Sequence, residues 1–202
     1  WLLARIAYHL ARFRRRETLR RIGEVFPHST PRDRKRIAWI SLRNLCFNAV
    51  ELMRANRYTN HWMKRHIENY DDCMRYVRAQ IEEHGGVVLA VPHLGNWDLA
   101  GLAASLGGIH IFSVAGVQRN RLVNDWINRQ RGHGIDILDR GSSALRQIVK
   151  RLRGGEAFAI LPDVRTRHPD LRIPFLGSEA NLGRGMAQFA ITAGVPIIPA
   201  VF

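Results

Sequence analysis

The 202 residues are 46% hydrophobic and 24% charged, a globular composition that excludes a disordered or fibrous chain and is long enough to bury a real core. Cys46 and Cys73 stand far apart with no C-x-x-C pair, which excludes a disulfide framework and a cysteine zinc site as organising principles and fits a reducing compartment. The net charge is +14 and uneven: residues 1–60 hold 14 basic and 4 acidic side chains, residues 61–202 hold 17 and 13, so the first third attracts an anionic partner, whether nucleic acid, anionic lipid or an acidic protein.

Residues 1–21 read as one amphipathic helix. Leu2, Ile6, Leu10 and Phe13 recur at spacings of four, four and three, Trp1, Leu3 and Ala7 widen the apolar face, and seven arginines fill the rest. Such a helix suits a membrane interface; a helix docked on its own domain with a basic outer side fits the same pattern. Ser29-Thr30-Pro31 marks the start of a second helix, with a capping hydroxyl, Pro at the first position and Asp33 in the first turn; its periodicity runs to about Arg54. A short extended segment is expected near 66–69. A helix over 71–84 stops at Gly85-Gly86, and the β-branched run 87–91 is a buried strand.

From there strand and helix alternate. Helices are expected over 96–106, 122–131, 142–153 and 182–193, and strands over 109–114, 135–138, 157–161 and 196–202. An extra edge strand is expected at 172–175, beside a loop at 165–170. This alternation predicts an α/β fold, a mainly parallel sheet flanked by helices. The expected division is a basic, membrane-facing helical region at 1–60 and a catalytic domain at 61–202. No run reaches the roughly 18 apolar residues that cross a bilayer. The chain starts at Trp1 and stops inside an apolar run, so both ends are expected to be cut short.

No P-loop, G-x-S-x-G elbow, H-E-x-x-H or G-x-G-x-x-G occurs, and none of the nine histidines has a convincing metal-ligand spacing. One segment remains: Pro92-His93-Leu94-Gly95-Asn96-Trp97-Asp98, where a strand ends and a helix begins. In open α/β sheets ligands bind at that edge. His93 sits on the strand tip, Gly95 turns the backbone, Asn96 caps the helix, and Asp98 is expected to point back from its first turn. A carboxylate that accepts one imidazole N–H leaves the other nitrogen basic. The alternative is a His and an Asp that serve only to cap a helix.

His93-Leu94-Gly95-Asn96-Trp97-Asp98 resembles the H-x4-D/E motif of the glycerolipid and lipid A acyltransferases. The form of the motif is similar to that of the bacterial lipid A biosynthesis (lauroyl/myristoyl) branch, which includes phosphatidylinositol mannoside acyltransferases. Val117-Gln118-Arg119-Asn120 resembles that family's R-P-N segment, without the Pro. Asp139-Arg140-Gly141, Gly155-Glu156 with Leu161-Pro162-Asp163, Pro174-Phe175-Leu176-Gly177 and the segment 194–199 are similar to later family segments, in the same order. The likeness covers roughly residues 87–202.

The resemblance implies transfer of a fatty acyl chain from an acyl carrier protein or coenzyme A thioester to a hydroxyl of a membrane glycolipid such as a lipid A precursor. His93 would be the general base and Asp98 its orienting carboxylate. No cofactor beyond the acyl donor, no metal and no nucleic acid is implied. Arg119 is the first candidate for the oxyanion or an acceptor phosphate, and the sequence does not separate these roles. Asn120, Arg140, Asp163 and Arg165 complete the expected substrate-binding set. The place of work would be the cytoplasmic face of the bacterial inner membrane, reached peripherally or through a missing N-terminal segment. The competing reading is a basic nucleic-acid-binding domain without catalysis. It lacks a recognition helix or aromatic platforms and leaves the His93 turn without a purpose.

Overall fold

The structure, a computed structural model, describes residues 1–12, 14–116, 120–138, 144–164 and 171–201. Its strands are β1 (Val87–Ala90), β2 (Ile111–Val114), β3 (Asp136–Leu138), β4 (Ala157–Ile160), β5 (Leu171–Phe175), β6 (Ser178–Leu182) and β7 (Ile197–Pro199). Five of them form one sheet in the order β3-β2-β4-β1-β7, and every pairing in it is parallel. The fold is the expected α/β sheet with helices on both faces. Parallel strands need covered faces, which is why β1 reads as a continuous apolar run with all four residues buried.

Its side chains alternate between two cores. On one face Val87, Leu89, Ile111 and Ala159 pack with Val77 of α5 (Tyr70–His84) and Ala104 of α6 (Trp97–Leu106). On the other, Val88, Phe112 and Phe158 pack with Ile148 and Leu152 of α8 (Ala144–Arg153) and Ala190 of α9 (Gly185–Ala193). The Phe112 and Phe158 rings lie 5.1 Å apart in this second core. Truncating either to Ala would cost about 3–5 kcal/mol. Between β2 and β3 runs α7 (Arg121–Arg131).

Spatial proximity divides the chain into two units, 1–51 with 172–180, and 52–171 with 181–202. In the first, the expected single helix over 1–21 is broken. The pieces are α1 (Leu2–Arg5), one π-helical turn at Ile6–Leu10 and α2 (Arg15–Val25). Arg12 and Arg14 between them take left-handed backbone angles, which a continuous helix cannot contain. The helix α3 (Pro31–Met53) begins as expected: the Asp33 N–H donates to the Thr30 hydroxyl at 3.1 Å, and that hydroxyl donates to the Asp33 carboxylate at 2.6 Å. Ala4 and Tyr8 are buried, with the Tyr8 hydroxyl donating to the Lys35 carbonyl and its ring edge-on to Trp39. Leu2, Ile6 and Leu10, the anticipated apolar stripe, remain exposed. On α2, Arg20 and Arg21 hold the Glu17 carboxyl down at about 2.

The second unit holds the five-stranded sheet. The extended stretch expected near 66–69 is instead a turn, with Ile67 extended and Asn69 left-handed, that closes a helix the sequence did not suggest, α4 (Asn60–His66). Thr59 caps it by accepting the Trp62 N–H, and Met63 is fully buried beside Tyr58, Tyr70 and Leu99. This tertiary burial outweighs weak local propensity. The expected edge strand at 172–175 belongs instead to a two-stranded hairpin, β5-β6, outside the main sheet. Leu176-Gly177 makes its turn with φ of 49° and 75°, as a two-residue hairpin of this hand requires.

Candidate active site

Sheet order determines what meets His93. β1 and β4 are neighbours in parallel register, with Ala90 opposite Ile160. The Val91 N–H donates to the Ile160 carbonyl just beyond them. His93 and Asp163 each stand three residues past that matched pair, so both chains deliver a polar side chain to one point on the carboxyl edge. Gly95 takes φ of 69° to turn the backbone. Asn96, buried, then caps α6 by accepting the Leu99 N–H at 3.1 Å.

The Asp163 carboxylate grips His93 twice. One oxygen lies 2.8 Å from ring Nδ1, and the other accepts the His93 backbone N–H at 2.7 Å. An ionised carboxylate only accepts, so the bond requires a proton on Nδ1 and leaves the Nε2 lone pair as the basic site. Burial pushes the Asp163 carboxyl up. The bonds from the His93 ring and backbone outweigh burial and hold it below the usual carboxylate range. Trp97 stands edge-on to the imidazole, with ring centroids 4.6 Å apart.

Asp98 has a different partner from the one the sequence suggests. Its carboxylate accepts from Arg131 Nε at 2.7 Å and from a terminal nitrogen of the same guanidinium at 3.4 Å. The Asp98 and Arg131 side chains are only 14% and 19% exposed, against 41% for both His93 and Asp163. The expected His93–Asp98 bond is therefore replaced by two pairs side by side, His93–Asp163 and Asp98–Arg131.

Both His93 and Asp98 line a cavity of about 860 Å³, within the size of small-molecule sites. Its wall is mostly apolar, including Leu89, Val91, Ile111 and Phe158 from the sheet and Val77 from α5. On α6 the lining residues Ala100, Gly101, Ala103 and Ala104 are small, and Gly101 lets the Ile135 side chain pack directly against the helix. The site can hold an apolar chain beside a basic imidazole.

Among the other expected residues, Asn120 caps α7, its side-chain oxygen accepting the Leu122 and Val123 N–H groups at 2.9 and 3.2 Å. Arg119, Arg140 and Arg165 lie outside the described residues, as do Phe13 and the loop at 165–170. Sequence reading did not single out Arg131, and it placed Asp163 among substrate-binding residues rather than against His93. The signal needed for either is strand and helix adjacency, which spacing along the chain does not carry. Among the described residues, no group of three or more His, Cys, Asp and Glu side chains is arranged to hold a metal ion, and no helix is long and apolar enough to cross a membrane.

The fold and site define an α/β protein that presents a histidine–carboxylate pair at the ligand edge of a parallel sheet, over an apolar cavity. The family model of the bacterial lipid A biosynthesis acyltransferases matches residues 2–202, and the chain belongs to that family. It is similar to phosphatidylinositol mannoside acyltransferase from two strains of Mycobacterium tuberculosis, at 20% identity over 153 residues, 74% of this chain and 48% of each relative. The chain thus spans about half the length of those relatives.

Proposed function

We propose that this chain carries the acyl-transfer centre of an enzyme that moves a fatty acyl group from a thioester, on acyl carrier protein or coenzyme A, to a hydroxyl of a membrane glycolipid such as a lipid A precursor. The observation that carries the reading is the His93–Asp163 pair, whose histidine lines the apolar cavity. The acceptor hydroxyl oxygen attacks the thioester carbonyl while His93 Nε2 takes its proton. The tetrahedral intermediate then expels the thiolate, and the imidazolium returns the proton to sulfur. Asp163 fixes the ring tautomer and balances the charge that forms. The acyl chain lies in the cavity. Arg119, with Arg140 and Arg165 behind it, remains the candidate for the oxyanion or an acceptor phosphate on sequence position alone. No cofactor beyond the acyl donor takes part.

Family membership supports an acyl donor and a glycolipid acceptor, and the relatives' name refers to one such acceptor. Contact with an anionic membrane surface, in this reading the cytoplasmic face of the inner membrane, draws on the exposed Leu2, Ile6 and Leu10 within the basic first 60 residues, which favour a membrane surface and not one face of it. The test is incubation with labelled acyl carrier protein or acyl-coenzyme A over a panel of glycolipids, with mass spectrometry of the products. Acylated glycolipid that disappears in His93→Ala supports the proposal; no product with either donor, or equal product from the variant, overturns it.

A further inference from the structure

The cavity is not confined to one face of the sheet. Part of its lining belongs to the core that holds Val77, Leu89, Ala104 and Ile111. Ile148 and Phe158 of the opposite core line the same cavity, as do Val114, Ile160 and Phe189, which pack against that core from β2, β4 and α9. Ala144, one turn before Ile148 on the same side of α8, lines it too. Residues on opposite faces of one sheet thus share a single space of about 860 Å³, near the upper end of the range for small-molecule sites, about 300–1,000 Å³.

The sheet keeps the two sides apart. β2, β4 and β1 are joined in parallel register, and hydrogen-bonded strands about 4.8 Å apart leave no passage for a hydrocarbon chain. The sides communicate around the carboxyl ends of the strands, where Ala115 and Gly116 past β2, Leu161 past β4 and His93 past β1 line the cavity. A chain that starts from a carbonyl at His93 therefore runs down one side only. Trp97, edge-on to the His93 ring, packs with the Leu89 core, so the donor's chain belongs on that side and the other is left for a second occupant.

The chemistry of the second side selects that occupant. Ile148 and Phe158 are each 1% exposed, and Val114, Ala144, Ile160 and Phe189 are half-buried around them. Among the described residues no polar side chain lines this side. A sugar hydroxyl or a pantetheine amide placed there loses its hydrogen bonds to water without replacement, whereas an aliphatic chain loses nothing. Of the two reactants, the glycolipid is the one whose chain has no place yet.

We propose that the second side of the cavity binds the acceptor's own aliphatic chain. The donor's acyl chain runs along the Leu89 side, the acceptor's tail lies on the Phe158 side, and thioester and hydroxyl meet at His93 where the sides join. The inference rests on the glycolipid acyltransferase reading and adds to it that the acceptor is recognised by its tail as well as its headgroup.

The experiment photolabels the whole chain with palmitoyl-coenzyme A or with a dipalmitoyl mannosylglycerol, each carrying a diazirine within an acyl chain, and maps the labelled peptides by mass spectrometry. The coenzyme A probe should label α5 and α6, and the mannolipid α8 and α9. Ala144→Phe, which puts a ring into the second side, should remove the α8 and α9 labelling at unchanged circular dichroism. It should also raise KM for a two-tailed acceptor about tenfold or more and leave KM for the donor unchanged. Mannolipid labelling that is absent, or confined to α5 and α6, overturns the proposal, and this map of the wild type does not depend on the variant. Labelling needs no turnover, so the two readings fail separately. Labelled α8 and α9 without acyl transfer leave this site standing and sink the reaction; acyl transfer with labels on α5 and α6 alone does the reverse.

Discussion

Two carboxylates of the site take different partners. Asp163 is 41% exposed and holds the imidazole at both ring and backbone; Asp98 is 14% exposed and is taken up by the Arg131 guanidinium. The first pair leaves Nε2 of a cavity-lining histidine as the basic nitrogen. The second is a largely buried charge pair, where breaking it leaves an uncompensated charge. Closeness along the chain is thus a poor guide to partnership. Asp98 is five residues from His93 but lies in the first turn of α6 and meets Arg131 at the end of α7, whereas Asp163 is seventy residues away, just past the end of the adjacent strand.

The largest expected effect tests the first pair. His93→Ala should lower acyl transfer about 10²- to 10⁴-fold with the fold intact, read by product mass spectrometry and circular dichroism. Asp163→Asn comes next, with a loss of about 10²-fold or more, because an amide no longer enforces the Nδ1–H tautomer. Activity at the wild-type level in Asp163→Asn would break the comparison.

Asp98→Asn and Arg131→Met should act mainly on stability, by about 1–3 kcal/mol in urea unfolding for a partly exposed pair left without its bonds, and less on transfer than Asp163→Asn does. If Asp98→Asn matched His93→Ala in activity at unchanged stability, Asp98 would be the catalytic partner after all. The smallest effect is in the pH dependence of folding. The Asp163 carboxyl titrates below its ordinary value in the folded chain. Its contribution to stability is therefore present above the unfolded-state value and is lost as the pH falls through the lowered one. Urea unfolding followed from neutral pH into acid should show a steeper loss for the wild type than for Asp163→Asn.

Much of the fold was legible. Alternating apolar runs and helical periodicities located the five parallel strands and the helices between them, because burial on both faces writes a continuous apolar signal such as 87–91. The turn at Gly95 and the caps at Thr30 and Asn96 were legible because short polar side chains and glycine have local roles. What escaped depended on tertiary neighbours. The helix at 60–66 forms over buried Met63, the hairpin at 171–182 stands outside the main sheet, and the first helix breaks at Arg12 and Arg14. The site divides the same way. His93 was marked by its place at a strand end, but strand order decides which carboxylate it meets, and no local pattern encodes that β4 lies beside β1.

The most direct test of the central claim is the state of the His93 ring itself. In a protein labelled with nitrogen-15 histidine, the Nδ1–H of His93 should give a hydrogen-bonded, downfield proton resonance that survives Asp98→Asn and vanishes in Asp163→Asn. A resonance that survives Asp163→Asn and vanishes in Asp98→Asn would contradict the account.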